Sequence, residues 1–318
     1  MRLSRRELLG ASAVGLAGCL GRGNQGDDNP TSVYASFFTL ADWTRQIAGE
    51  NVDVQNAVPA GEHGHAWEPP TSLLPQIVET DAFVYFDVDG FQPWAEDAAE
   101  TIANDYDDVE LIDATSGIDL REYSGHGHDH DHDHDHSHGA YDAKFFSDPL
   151  RAADGIENVR SGLSRVDPSS ASEFVDNADG YIDRLEELHE SFEERLADRT
   201  HDAVVLAGHD SFGYLADRYG FEIHTPVGLS PADSPSSDRI ADAVSFISEE
   251  GIEHVLWDYF DGDRLAETIA DNADHDVETV MTSPAESTTE QWLSDGYGDY
   301  IGQMTEINLP AFAHALGA

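Results

Sequence analysis

The chain has 318 residues, 64 of them acidic and 16 basic, for a formal net charge of −48. Such a charge repels phosphate backbones and argues against a nucleic-acid partner. With 40% hydrophobic residues, 14 Phe and 5 Trp, the chain can still bury a core, and the acidic surface reads as a halophilic adaptation, because salt screens its self-repulsion.

The first 18 residues read as a signal peptide. Arg5-Arg6 is a twin-arginine pair, the kind used to export prefolded proteins. The apolar run from Leu8 to Leu20 is too short to span a bilayer. Leu16-Ala17-Gly18-Cys19 is similar to a lipobox, and Cys19 is the only cysteine in the chain. It has no disulfide partner, so lipidation is its expected use. That places the mature protein outside the cytoplasm, anchored to the outer face of the cell membrane. Residues 19–31 read as a flexible tether.

Strands and helices then alternate. Ser32–Phe38, Val52–Val58, Ala82–Val88 and Val109–Asp113 read as strands, and Leu40–Gly49, Thr71–Glu79 and Glu96–Asn104 as helices. This pattern predicts an α/β lobe with a parallel sheet over residues 32–124. Residues 141–200 read as linking helices, Pro149–Leu163 and Pro168–Ala197. The second is long and carries Tyr181, Leu185, Leu188, Phe192 and Leu196 at helical spacing. Strands at Ala203–Gly208, Ile252–Trp257 and Val277–Met281, with helices from Ser211, Ser236, Gly262 and Gly302, predict a second α/β lobe over 201–318. The fold class is thus α/β: two lobes of parallel sheet with flanking helices, joined by one long linking helix.

Between the first lobe and the linking helices lies a low-complexity segment, residues 125–140. Seven of the chain's 16 histidines fall in it, at His126, His128, His130, His132, His134, His136 and His138, interleaved mostly with Asp. No side chain there can build a core. Neutral imidazoles donate a lone pair to Zn²⁺ or a similar ion, and the aspartates concentrate cations around them. The segment reads as a solvated loop that binds several metal ions weakly.

These segments together resemble the extracytoplasmic solute-binding proteins of zinc/manganese-type metal-ion ABC importers, in particular the zinc lipoproteins with a His-rich loop. Pro59-Ala-Gly-Glu-His-Gly-His-Ala-Trp-Glu-Pro-Pro-Thr-Ser72 resembles the family's first ligand loop, Phe146–Asn158 and Asp167–Asp179 the start of its linking helix, and Gly208–Phe221 its third ligand loop. The resemblance implies a binder, not an enzyme. Two lobes close on an ion that is then handed to a membrane permease driven by its ATPase. Ser211 and His209 lie close in sequence, but no hydrolase elbow accompanies them.

Carried onto this chain, the resemblance implies His65 and His209 as metal ligands. His63 and Glu62 are neighbouring spare donors, Glu68 fixes the loop, and Trp67 and Tyr214 are packing walls. The chain departs from the family at two ligand positions. Lys144, its only lysine among 15 arginines, stands at the second, and Ser283 at the fourth. An ammonium has three donor protons and no lone pair, so Lys144 cannot ligate in its charged form. Zinc suits a site with two imidazoles, with manganese, copper or nickel as alternatives. A monomer is expected. The competing reading is a lipoprotein that has lost cleft binding and only buffers metal at the surface through its His-rich loop.

Overall fold

The computed structural model describes residues 30–62, 64, 67–122, 141–227 and 235–318. The first half is built from β1 (Thr31–Ala35), α1 (Phe38–Ala48), β2 (Val52–Asn56), α2 (Leu73–Ile77), β3 (Ala82–Tyr85), α3 (Pro93–Asp105) and β4 (Glu110–Asp113). All pairings are parallel, in the order β2-β1-β3-β4. Two helices follow, α4 (Pro149–Val166) and the 26-residue α5 (Ala171–Leu196). The second half comprises β5 (Ala203–Leu206), α6 (Gly213–Tyr219), β6 (Glu222–His224), α7 (Ser237–Glu250), β7 (His254–Asp258), α8 (Arg264–Asn272), β8 (Glu278–Thr282), α9 (Glu290–Asp295), α10 (Tyr300–Gln303) and α11 (Leu309–Ala315). Its sheet is also parallel, in the order β6-β5-β7-β8. The halves repeat one topology.

Alternation along the strands explains the layering. On β1 and β3, Val33, Ala35, Ala82 and Val84 face one core while Tyr34, Phe83 and Tyr85 face another. On β5, Val204 and Leu206 join the first core, and Val205 turns to a third with Val255 of β7. The first core is therefore shared by both sheets, and α4 and α5 run through it. α5 contributes Phe174, Ala178, Tyr181, Leu185, Leu188, Phe192 and Leu196, one apolar stripe at i, i+3 and i+4. It packs on α1 and α4 from one half and on α6, α10 and α11 from the other. Asp148 caps α4, accepting from the Leu150 N–H at 3.0 Å with Pro149 at the first position. The same carboxylate receives a two-pronged ion pair from Arg218 of α6, a second tie between the halves.

Three elements differ from the sequence reading. The strand β6 went unseen because Glu222-Ile-His224 is only three residues long and has no apolar run. The short helix α9, capped by Thr289, was likewise missed. The expected C-terminal helix runs from Tyr300 to Ala315, but Met304–Asn308 widens to a π segment. Pro310 lacks an N–H to donate back up the helix, which forces the local shift in pairing. Among the described residues no helix is long and apolar enough to cross a membrane.

Candidate metal centre

In open α/β sheets, ligands sit beyond the carboxyl ends of the strands, and here three strands of the second sheet deliver side chains there. β5 leads through Gly208 to His209. The β7 end carries Asp258 and Asp261. The turn after β8 carries Glu286. His209 and Glu286 have no exposed surface, and Asp258 is buried. Gly208 makes this approach feasible, since a Cβ there would lie 3.2 Å from the Asp261 carboxylate and 3.7 Å from Asp258 Cβ.

The histidine is held from behind. Its Nδ1 meets Asp261 Oδ2 at 2.7 Å, which directs Nε2 toward Glu286 Oε1, 3.8 Å away. A carboxylate bonded to one ring nitrogen fixes the orientation of an imidazole and raises the basicity of the other nitrogen. Burial and the Lys144 ammonium push the His209 pKa down. The bonds to Asp261 and Glu286 outweigh them and leave it above the usual histidine value.

Glu286 owes its position to the backbone before it. Ala285 has φ +56°, a left-handed conformation that costs an ordinary residue about 1–2 kcal/mol. The Ala285 N–H donates to Ser283 Oγ at 3.2 Å, and Thr39 Oγ1 donates to the Ala285 carbonyl. Ser283, read from the sequence as a departed ligand position, is wholly buried and hydrogen-bonded to Gln303 and Asn308: its Oγ donates to Gln303 Oε1 at 2.5 Å and its N–H to Asn308 Oδ1 at 2.9 Å. The carboxylate three residues on takes the place beside His209. Glu286 is the only ionisable residue in the Ser283–Thr289 turn, but nothing local in the sequence marks it as the one that meets His209.

Lys144 enters from the other side. It opens a 3₁₀ turn, Lys144–Ser147, whose Phe145 and Phe146 are buried against Phe86, with ring centroids 5.6 Å apart in both pairs. Each buried ring stabilises the turn by about 1.5–3 kcal/mol. The Lys144 N–H donates to Asp142 Oδ1 at 2.9 Å. The residue is 3% exposed, so it is no snorkelling surface lysine. Nζ donates to Ser211 Oγ at 2.9 Å and lies 3.3 Å from Glu286 Oε1. Lys144 and His209 therefore converge on one carboxylate oxygen. Burial, partly opposed by Lys144, raises the Asp142 pKa to about 6.

The first ligand loop reaches the same place through its backbone. Gly61 N–H donates to the Thr288 carbonyl at 3.0 Å, and Gln92 Nε2 to the Gly64 carbonyl at 3.1 Å. Gly64 is buried, and a Cβ on it would fall 2.9 Å from the Glu286 carbonyl and 2.4 Å from the Phe37 ring. Only glycine lets this loop lie so close to Glu286. Glu62 and Glu68 are exposed. Trp67 stacks edge-on against Trp94 at 5.6 Å, and Tyr214 is a buried wall whose hydroxyl donates to the Asp142 carbonyl at 2.5 Å. Cys19, His63, His65 and the seven histidines from His126 to His138 lie outside the described residues. The ends of that last segment form a closed neck, in which Glu122 bridges Tyr141 and the Asp142 N–H donates to the Arg121 carbonyl at 2.9 Å.

Comparison with known proteins gives a consistent picture. The model of the family "ZnuA: Zinc-uptake complex component A periplasmic" matches residues 33–315. The zinc-binding lipoprotein AdcA of Streptococcus pneumoniae strain R6 is 30% identical over 287 residues, 89% of this chain and 55% of the relative. The chain thus spans about half the length of the streptococcal relatives it matches. The high-affinity zinc uptake system protein ZnuA of Bacillus subtilis is 28% identical over 285 residues, covering 89% of this chain and 87% of that one. Among solved structures, the Zn(II)-bound ZnuA-like domain of S. pneumoniae AdcA superposes with a TM-score of 0.75 at 26% identity, over 91% of this chain and all of that one.

Proposed function

We propose, since this chain belongs to the ZnuA family of periplasmic zinc-uptake components, that it is a solute-binding protein rather than an enzyme, and that it captures Zn²⁺ in the cleft between its lobes. The observation that carries this reading is the Asp261–His209–Glu286 relay: a carboxylate-oriented imidazole with its second nitrogen aimed at a buried carboxylate. His209 and Glu286 supply one nitrogen and one oxygen donor from the second lobe, and His65 supplies the donor from the first. The Gly64 backbone seated on Glu286 supports that role for His65. His63 is the neighbouring spare donor. Asp261 orients His209 without being asked to ligate. The two lobes hand the ion to an ABC permease and its ATPase, and Cys19 carries the lipid that keeps the protein on the outer face of the membrane. The His-rich loop collects metal ions.

Lys144 favours one rival reading, in which its ammonium permanently occupies the cation's place on Glu286 and metal binds only at the loop. Competition calorimetry against a zinc chelator separates the two, using protein lacking Gly125–Gly139. Capture in the cleft predicts one tight site that disappears in Glu286→Gln and in His209→Ala. Retention of that site in Glu286→Gln, or its absence from the parent, refutes the cleft assignment.

A further inference from the structure

The second sheet has another end. At the amino ends of its strands, opposite the cleft, His254 opens β7 and Glu278 opens β8. The two are direct partners in the parallel register, so their side chains leave the sheet on the same face. His314, in the last turn of α11, packs onto that face with its ring edge-on to His254, the centroids 4.0 Å apart. One donor atom of each of the three lies within 4.8 Å of the other two.

We infer that His254, Glu278 and His314 form a second binding site for a divalent ion of the zinc class, separate from the cleft. Two imidazoles and a carboxylate are the donor set of a three-ligand zinc site with an open fourth position. A tetrahedral ion with bonds of about 2.0–2.1 Å sets its ligands roughly 3.3 Å apart, a spacing that rotamer changes in three partly or fully exposed side chains can reach. The backbones are already fixed by two hydrogen-bonded strands and a helix, the rigid elements on which a site holds its geometry. Burial and the neighbouring His314 lower the His254 pKa, keeping its imidazole in the neutral form that ligates. An ion here ties α11 to the edge of the sheet.

The test is histidine-resolved modification of the full chain with diethyl pyrocarbonate, read by peptide mass spectrometry, with and without Zn²⁺. The reagent attacks neutral imidazoles, and zinc protects those it binds. His254 and His314 should be protected together, while His224 labels equally in both conditions. Their labelling rate should fall roughly tenfold when free zinc is about ten times the site's Kd, because the unliganded fraction is 1/(1 + [Zn]/Kd). In His314→Ala and in Glu278→Gln, both changes at exposed positions, protection of His254 should be lost. Zinc-independent labelling of His254 and His314, or protection of His254 that survives both substitutions, overturns the site.

Discussion

The sharpest prediction concerns Lys144→Met. In zinc-free protein the Lys144 ammonium sits 3.3 Å from Glu286 Oε1, worth about 5 kcal/mol of Coulomb attraction at an effective dielectric near 20. A divalent ion about 4 Å from the ammonium would feel about 8 kcal/mol of repulsion on the same scale. Both cations cannot hold one carboxylate, so zinc capture requires Lys144 to leave Glu286 and Ser211. Desolvation cancels much of the gross attraction, and the net value of a charge-assisted hydrogen bond is about 1.5–3 kcal/mol. At about 1.4 kcal/mol per tenfold, removing the competitor should tighten zinc binding about 10- to 150-fold, as expected when only the lysine-free fraction binds. Lys144→His should tighten it further by adding a donor.

The assay is chelator competition in high salt, with both proteins lacking Gly125–Gly139. A buried pair is screened little by salt, so the difference should persist there. The zinc-free Lys144→Met protein should melt lower, since breaking a buried pair costs about 3–5 kcal/mol, and zinc should restore its midpoint. Equal or weaker zinc affinity in Lys144→Met would show that the lysine does not compete, and the reasoning fails.

Asp42 is buried beneath Tyr300, whose N–H it accepts at 3.1 Å, and burial raises its pKa to about 6. The folded state therefore holds this proton more tightly than the unfolded one, a contribution present below about pH 4 and lost as pH rises through 6. Asp42→Asn should stabilise the protein by about 1–3 kcal/mol at pH 8 and hardly at all at pH 4; thermal unfolding at the two pH values checks it, and an equal effect at both sinks it. Deleting Gly125–Gly139 should lower zinc stoichiometry while barely moving the zinc-free thermal midpoint, because the neck at Glu122 and Tyr141 already closes the chain; a large loss of stability would mean that the segment packs. Cys19→Ser should release the protein from the membrane or leave it unprocessed, and unchanged membrane association in cell fractionation would refute the anchor.

How far the sequence could be read depended on whether a signal was local. Apart from β6, the strands were legible because they are short, largely apolar or alternating runs set between helices, and α5 because its apolar stripe is seven residues long. His209 was legible because it directly follows the β5 run. Glu286 was not, because its place depends on the left-handed Ala285 and on hydrogen bonds from Thr39, 246 residues away. Alignment by Ser-Pro pointed to Ser283, whose hydroxyl is spent on Gln303. Lys144 was singled out by its place at the second ligand position and by its rarity. Its direction could not be read, since it depends on Phe145 and Phe146 finding Phe86 across the core.

The placement of these groups bears on how the cleft can work. His209 and Asp261 follow strands of one sheet, so their mutual geometry survives movement of the other lobe, whereas the Glu286 turn is also tied to the first lobe through Thr39. The first lobe contributes by a loop whose Gly61 and Gly64 lie against the Glu286 turn, and Lys144 by a turn rooted in the shared aromatic core. α5 and the Arg218–Asp148 pair cross between the halves and resist wide opening. An ion entering such a site cannot wait for a large hinge motion. The cheaper change is local: one lysine side chain withdrawing from one carboxylate. On this view the barrier to zinc entry and release sits in the Lys144–Glu286 pair, and substitutions that loosen α5 should alter stability far more than they alter zinc exchange.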